Sequence, residues 1–292
     1  MIPQEVMQQI RRIQIRTSRM VKDILAGQYE SVFKGQGMEF REVREYVPGD
    51  DVRMIDWNVT ARSGAPHVKI LAEERELTVM LVVDVSASGR FGSVSRFKNE
   101  LAAELCAVLA FTAITNNDKV GLIIFTDEVE LYVPPSKGSK HVLRVIREVL
   151  YFQPERQGTN IPAALRFLNR VARRRAVTFL VSDFLTPGYE DALRLANRRH
   201  DVIAIEVSDP RESELADVGL ISVRDPETGD EVLADTRDRR LRKQYEAEAA
   251  RRNHERAQVF ARTRVDSIQV RTGESYVKEL YRFFRMRERR YG

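Results

Sequence analysis

The sequence is poor in the residues that carry several kinds of chemistry. It has one cysteine among 292 residues, so no disulfide can form within the chain and nothing in it calls for an oxidising compartment. That residue, Cys106, stands in the stretch LAAELCAVLAFTA, an apolar helix-like setting that predicts a buried structural thiol rather than a reactive one. The histidines His67, His141, His200 and His254 are scattered, no two share the spacing of zinc ligands, and there is no HExxH. There is no GxxxxGK[ST] loop either, which excludes a P-loop nucleotidase, and Gly35-Gln36-Gly37 is too short a glycine signal to indicate a nucleotide. Long apolar runs are missing: VMLVV and GLIIF are far too short to span a bilayer and suit buried strands. The opening MIPQEVMQQIRRIQIR lacks the continuous apolar centre of a signal peptide, so a cytoplasmic protein is expected.

What is present fits a soluble globular chain, 43% hydrophobic and 31% charged. The net charge of +5 is uneven. Residues 237–292 hold 17 Lys/Arg against 8 Asp/Glu, or +9, which leaves −4 for the remainder. A basic C-terminal part is open to nucleic acid, to an acidic protein surface, or to being a solvated helix face. Its arginines alternate with glutamates along 237–262, as intrahelical ion pairs do. Tyr281, Phe283 and Phe284 fit a helix packed on a sheet better than a base-stacking surface.

Three segments follow from periodicity. Residues 1–27 read as an N-terminal amphipathic helix, with Val6, Ile10, Ile13, Met20 and Ile24 near helical spacing between basic residues. Residues 28–75 are broken by Gly35, Gly37, Pro48, Gly49 and Gly64, which predicts strands and turns rather than long helices. From 76 to 292 strands alternate with helices, and a hairpin addition falls near 217–235 with PETGD as its turn. The expected fold class is α/β, a mostly parallel central sheet with helices on both faces. The long helix after the first strand is expected to bury one face, through Leu101, Leu105, Val108, Leu109 and Thr112.

The first strand of that pattern ends in Asp84-Val85-Ser86-Ala87-Ser88. In an open parallel sheet, ligands bind beyond the carboxyl ends of the strands. One carboxylate and two hydroxyls there are hard oxygen donors, suited to Mg²⁺ or Mn²⁺. Thr159, in a Gly-Thr-Asn turn opening a helix, and Asp183, ending the strand LVSDF, fall at the same edge. A strand-end aspartate is also the nucleophile of haloacid-dehalogenase-type phosphatases, but those need a second aspartate where this chain has Ser86. A metal-dependent hydrolase and a nucleic-acid-binding protein are therefore the lesser alternatives, and no enzyme is expected.

The five oxygen residues resemble the metal-ion-dependent adhesion site of von Willebrand factor A domains. That resemblance implies Ser86, Ser88 and Thr159 as direct ligands of the cation, with Asp84 and Asp183 acting through water. A second resemblance lies upstream, in GQGMEFREVREYVPGDDVRMIDWNVTARSGAPHVKILAEERE. This block is similar to bacterial proteins with domain of unknown function 58, carried here by Glu39, Phe40, Arg44, Tyr46, Gly49, Asp50, Arg53, Asp56, Trp57, Ala61, Arg62, Glu74 and Arg75. That family is typically encoded beside MoxR-type AAA+ ATPases. The resemblance implies a metal-dependent protein-binding module, an adaptor or co-chaperone of such an ATPase, with the ATPase or a client protein supplying a carboxylate to the metal. Arg44, Asp50, Arg53, Asp56, Trp57 and Arg62 are the expected docking residues; the same acids and bases would equally serve as an internal ion-pair network with Trp57 as its apolar anchor.

Overall fold

A computed structural model of the chain describes residues 29, 32–33, 39–72, 76–94 and 96–291. The helix expected over 1–27 and the motif residues Glu74 and Arg75 lie outside the described residues.

The strands are β1 (Glu39–Glu45), β2 (His67–Ala72), β3 (Thr78–Asp84), β4 (Lys119–Phe125), β5 (Val129–Ser136), β6 (Val177–Ser182), β7 (Asp201–Ser208), β8 (Leu220–Arg224), β9 (Glu231–Asp235) and β10 (Asp266–Arg271). The helices are α1 (Trp57–Ser63), α2 (Lys98–Thr115), α3 (Ser139–Tyr151), α4 (Ile161–Val171), α5 (Glu190–Arg199), α6 (Arg239–Thr263) and α7 (Tyr276–Tyr291). Six strands form the central sheet in the order β10-β7-β6-β3-β4-β5, and β1-β2 and β8-β9 are separate two-stranded ribbons. All neighbours in the central sheet are parallel except β4 and β5. This is a von Willebrand factor A-like α/β fold.

The apolar runs are continuous because both faces of the sheet are covered. Side chains alternate along each strand. In β3, Val79, Leu81 and Val83 join one core with α2, α3 and α7, while Met80 and Val82 join a second with α4, α5 and Phe260 of α6. Tyr29, Val32 and Phe33, in the segment expected to hold strands and turns, are helical and pack into the first core. Helix α2 is buried on nearly every side, Cys106 included. The one-face stripe expected for it gives way because it lies inside the first core and also packs on α3. Phe283 and Phe284 are buried in that core as expected, but Tyr281 stays at the surface.

The chain runs from β3 outward to β4 and β5, then returns to place β6 on the other side of β3. The direction of winding reverses between β3 and β6, and the carboxyl end of such a reversal is where open α/β sheets bind ligands.

His200 caps the end of α5 and is fully buried; its Nδ1 accepts the Ala176 amide at 3.3 Å, which fixes the neutral ring. Burial, helped by Arg199 and Arg175, pushes its pKa down to about 4. The folded value lies below the unfolded one, so the neutral ring favours the fold fully above pH ~6.5. That contribution is lost as pH falls toward the folded value. Unfolding titrations from pH 7 to 4 should lose about 3 kcal/mol to this group. His200→Gln should flatten that part of the slope, and an unchanged slope would assign the loss to other groups.

Candidate functional site

Asp84 is the last residue of β3, and Asp183 follows the last residue of β6. Because these strands are adjacent and parallel, the two carboxylates come to one edge. Asp84 is fixed at both oxygens: Oδ1 accepts the Ser86 amide at 2.9 Å, and Oδ2 accepts the Ser182 hydroxyl at 2.6 Å. After Asp84 the chain turns through a short 3-10 helix, Ala87–Arg90. This turn brings the Ser86 and Ser88 hydroxyls within 3.0 Å of each other. Asp84, Ser86, Ser88, Ser182, Asp183 and Lys98 share the lining of a cavity of about 20 Å³, room for one water-sized occupant.

Thr159 is not part of that lining. It sits in the adjoining loop, which the Ala87 amide ties to the site by donating to the Gln157 carbonyl at 2.9 Å. Asn160 next to it caps α4, accepting the Ala163 amide at 3.0 Å. The loop comes in closely at Gly158, where a Cβ would lie 2.1 Å from Asp127 Oδ1. The Thr159 hydroxyl donates to Glu227 Oε1 at 2.9 Å, across from the turn of the β8-β9 ribbon. Four of the five expected metal residues therefore wall one cavity, and the fifth lies outside its lining with its hydroxyl engaged by a carboxylate.

Several partners were not evident in the sequence. Lys98, buried with 3% of its side chain exposed, donates to Asp183 Oδ2 at 2.8 Å and also to Glu212. Burial alone would lower its pKa, but Asp183 and Glu212 outweigh that and hold it above the ordinary value. A local signal did exist: Lys98 opens α2, where the positive end of the helix dipole disfavours a cation, so a lysine there implies a specific carboxylate partner. Arg256, buried on α6, donates to the Asp183 carbonyl at 3.3 Å and pairs with Glu206 of β7.

The charges do not balance around the cavity: one ammonium, Lys98, faces Asp84, Asp183 and Glu212. Burial, and then the Asp183 charge, push the Asp84 pKa up to about 7. Among the described residues no group of three or more His, Cys, Asp and Glu is arranged to hold a metal. The donors here are instead mostly hydroxyls, and hydroxyls with excess carboxylate charge in a water-sized cavity fit a hard divalent cation.

The upstream block folds as the antiparallel pair β1-β2 with a short 3-10 turn and α1 between the strands. Arg44 grips Asp50 with a two-point fork, 2.8 and 2.7 Å. Asp56 caps α1, accepting the Asn58 and Val59 amides, and lies 3.5 Å from Lys69. These contacts give the network reading part of its content. Trp57 is 67% exposed, however, and is no apolar anchor. It opens a seven-residue helix that runs from the Asp56 cap to Gly64 in the left-handed region and buries none of its residues. Among the described residues Arg53 reaches only Asp51, at 3.2 Å, with 89% of its side chain exposed, and Arg62 is exposed as well. Reversing the charge at Arg53 should therefore shift the unfolding free energy by less than about 0.5 kcal/mol; a loss of several kcal/mol would reinstate an internal network there.

Among the described residues no helix is long and apolar enough to cross a membrane. Uncharacterized proteins of Mycobacterium tuberculosis and Mycobacterium bovis are each 33% identical to this chain over 283 residues, 96% of this chain and 89% of theirs. Among solved structures, an aerotolerance-related membrane protein from Bacteroides fragilis is 20% identical with a TM-score of 0.48, covering 72% of this chain and 99% of that one. The conserved hypothetical protein BatB from Bacteroides thetaiotaomicron is 19% identical with a TM-score of 0.46, covering 73% and 99%. Residues 42–255 match the family described as protein of unknown function DUF58, and with that match and the mycobacterial relatives the chain belongs to this family.

Proposed function

We propose that this protein is a binding module for other proteins whose docking depends on a divalent cation, Mg²⁺ or Mn²⁺, and that it serves a MoxR-type AAA+ ATPase as adaptor or co-chaperone in assembling or maturing protein complexes. The observation that supports it most is the gathering of Asp84, Ser86, Ser88 and Asp183 around one water-sized cavity at the reversal point of the sheet. Ser86, Ser88 and Thr159 would hold the cation, with Asp84 and Asp183 behind them. When bound, the cation supplies an acceptor for a carboxylate from another protein. The remaining work belongs to the chain. Ser182 and the Ser86 amide aim Asp84, Lys98 and the Leu185 amide aim Asp183, and the walls of β3, β6 and α2 keep the cavity small.

The ATPase part of the proposal rests on the resemblance of the upstream block, whose exposed Trp57, Arg53 and Arg62 suit a docking surface. The nucleic-acid alternative gains no support, because many basic side chains of α6 and α7 are spent internally. Arg251 pairs with Glu248 and Glu255, Arg256 with Glu206, and Arg287 with Asp201 and Asp266.

Calorimetric titration tests the metal. Wild type is expected to bind Mg²⁺ or Mn²⁺, and the double variant Ser86→Ala/Ser88→Ala is expected to give no binding heat while keeping its fold, since the two apolar cores do not depend on the cation. Equal titrations of the two proteins would refute metal binding at this site. Mixing with a MoxR-type ATPase from the same cell, with ATP, with ADP or without nucleotide, tests the partner. Absence of a complex in all three removes the ATPase and leaves the metal-dependent module.

A further inference from the structure

The β8-β9 ribbon does not belong to the central sheet. It is an outlying arm, and its two strands expose Leu220, Val223, Val232 and Leu233. A two-stranded ribbon alone is marginally stable, so little packing holds this arm in place. Its turn, by contrast, is tightly built. Asp225 Oδ1 accepts the Glu227 and Thr228 amides at 2.8 and 3.1 Å, and the Asp225 amide closes the turn on the Asp230 carbonyl at 2.8 Å. A rigid tip on a loosely packed arm presents one side chain inward: Glu227, whose carboxylate accepts the Thr159 hydroxyl at 2.9 Å. Residues 227 and 159 are far apart in sequence, so the contact is made by the fold and not by local chain geometry. A hydroxyl has two lone pairs besides its hydrogen, so Thr159 can donate to Glu227 and still offer its oxygen to a cation.

We propose that Glu227 is a ligand supplied in cis: the ribbon caps the Thr159 side of the metal site with its own carboxylate and has to swing away before a carboxylate from another protein takes that position. The inference rests on the metal-dependent reading above. It makes the resting protein self-occupied and turns partner binding into an exchange of one carboxylate for another. The exposed Leu220, Val223, Val232 and Leu233 then lie on the element that moves.

Mn²⁺ alone is the probe, read by water-proton relaxation, which counts waters on the bound ion, and by calorimetry. Glu227→Gln is expected to gain a metal-bound water relative to wild type and to weaken Mn²⁺ binding about 10-fold. Added acetate should displace that water in Glu227→Gln at concentrations that leave wild type unchanged. Glu231→Gln removes the same charge from the same ribbon and should match wild type in all three measurements. Both replacements are at exposed or turn positions, so folding is not at risk. If wild type and Glu227→Gln bind Mn²⁺ with equal hydration and equal affinity, the cis ligand is refuted while the metal site stands. If Glu231→Gln behaves like Glu227→Gln, the effect is general electrostatics and the cis ligand is again refuted. If wild type binds no Mn²⁺, the metal reading falls and takes this inference with it.

Discussion

Replacing Lys98 with methionine is expected to remove about 3–5 kcal/mol of folding stability. The ammonium lies between Asp183 and Glu212, and Lys98 is almost wholly buried. Methionine fills most of the same volume, so a cavity contributes little; the loss comes from leaving Asp183 buried without its cation. Equilibrium denaturation at neutral pH measures it, and a loss below about 1 kcal/mol would mean that water already screens the pair. Lys98→Arg should not restore the wild-type value. Its planar fork needs more room than a cavity of about 20 Å³ provides. The site should respond as well, because Lys98 fixes the orientation of Asp183.

A loss of similar size, about 3–5 kcal/mol, is expected for Arg287→Ala, at the opposite end of the strands. Arg287 on α7 forks onto Asp201, the first residue of β7, at 2.8 and 2.7 Å. Its Nε donates at 2.7 Å to Asp266, the first residue of β10. The guanidinium also lies over the Phe33 and Phe283 rings, at 5.4 and 5.3 Å. Alanine would strand Asp201, leave Asp266 with Arg290 alone, and strip a cation from two aromatic faces. Arg287→Lys keeps the charge but cannot reproduce the fork, so only part of the stability should return. Metal titration should be unaltered, because Asp201 and Asp266 are strand starts whereas the candidate site is at strand ends. A variant that unfolds like wild type would show that the fork carries no net stabilisation.

The contrast between these two lysine and arginine sites explains what could be read from the chain. The strands were legible because VMLVV and GLIIF are apolar on both alternating faces, a pattern that only a doubly covered sheet produces. Asp84, Ser86 and Ser88 were legible because they are consecutive alternate residues at a strand end. Thr159 and Asp183 followed from the topology once the alternation was seen. The partners of these residues were not legible. Ser182 with Asp84, Lys98 with Asp183 and Glu227 with Thr159 are separated by 98, 85 and 68 residues, and no local rule pairs them. Trp57 was unreadable for another reason. A tryptophan is usually well buried, and nothing in the local sequence marks this one as lying at the surface. The one-face stripe read for α2 failed similarly, since periodicity does not register a helix enclosed on nearly all sides.

The aromatic cluster around α7 bears on the order of events in folding. Tyr29 and Phe33 lie 6.3 and 5.9 Å from Phe284, ring to ring, and Phe33 also meets Phe179 at 6.2 Å. Tyr29 and Phe33 thus complete their packing only once Phe284, far along the chain, is in place. Until then Phe33 has Tyr29 and Phe179 to meet but not Phe284, which lies some 250 residues further along the sequence. Contacts that span so much sequence are late and slow to form, and exposed apolar surface invites misassociation while it lasts. The sheet has its β3-β4-β5 and β6-β7 parts available for earlier pairing, whereas the seam between Phe33 and α7 joins segments far apart in sequence and closes late.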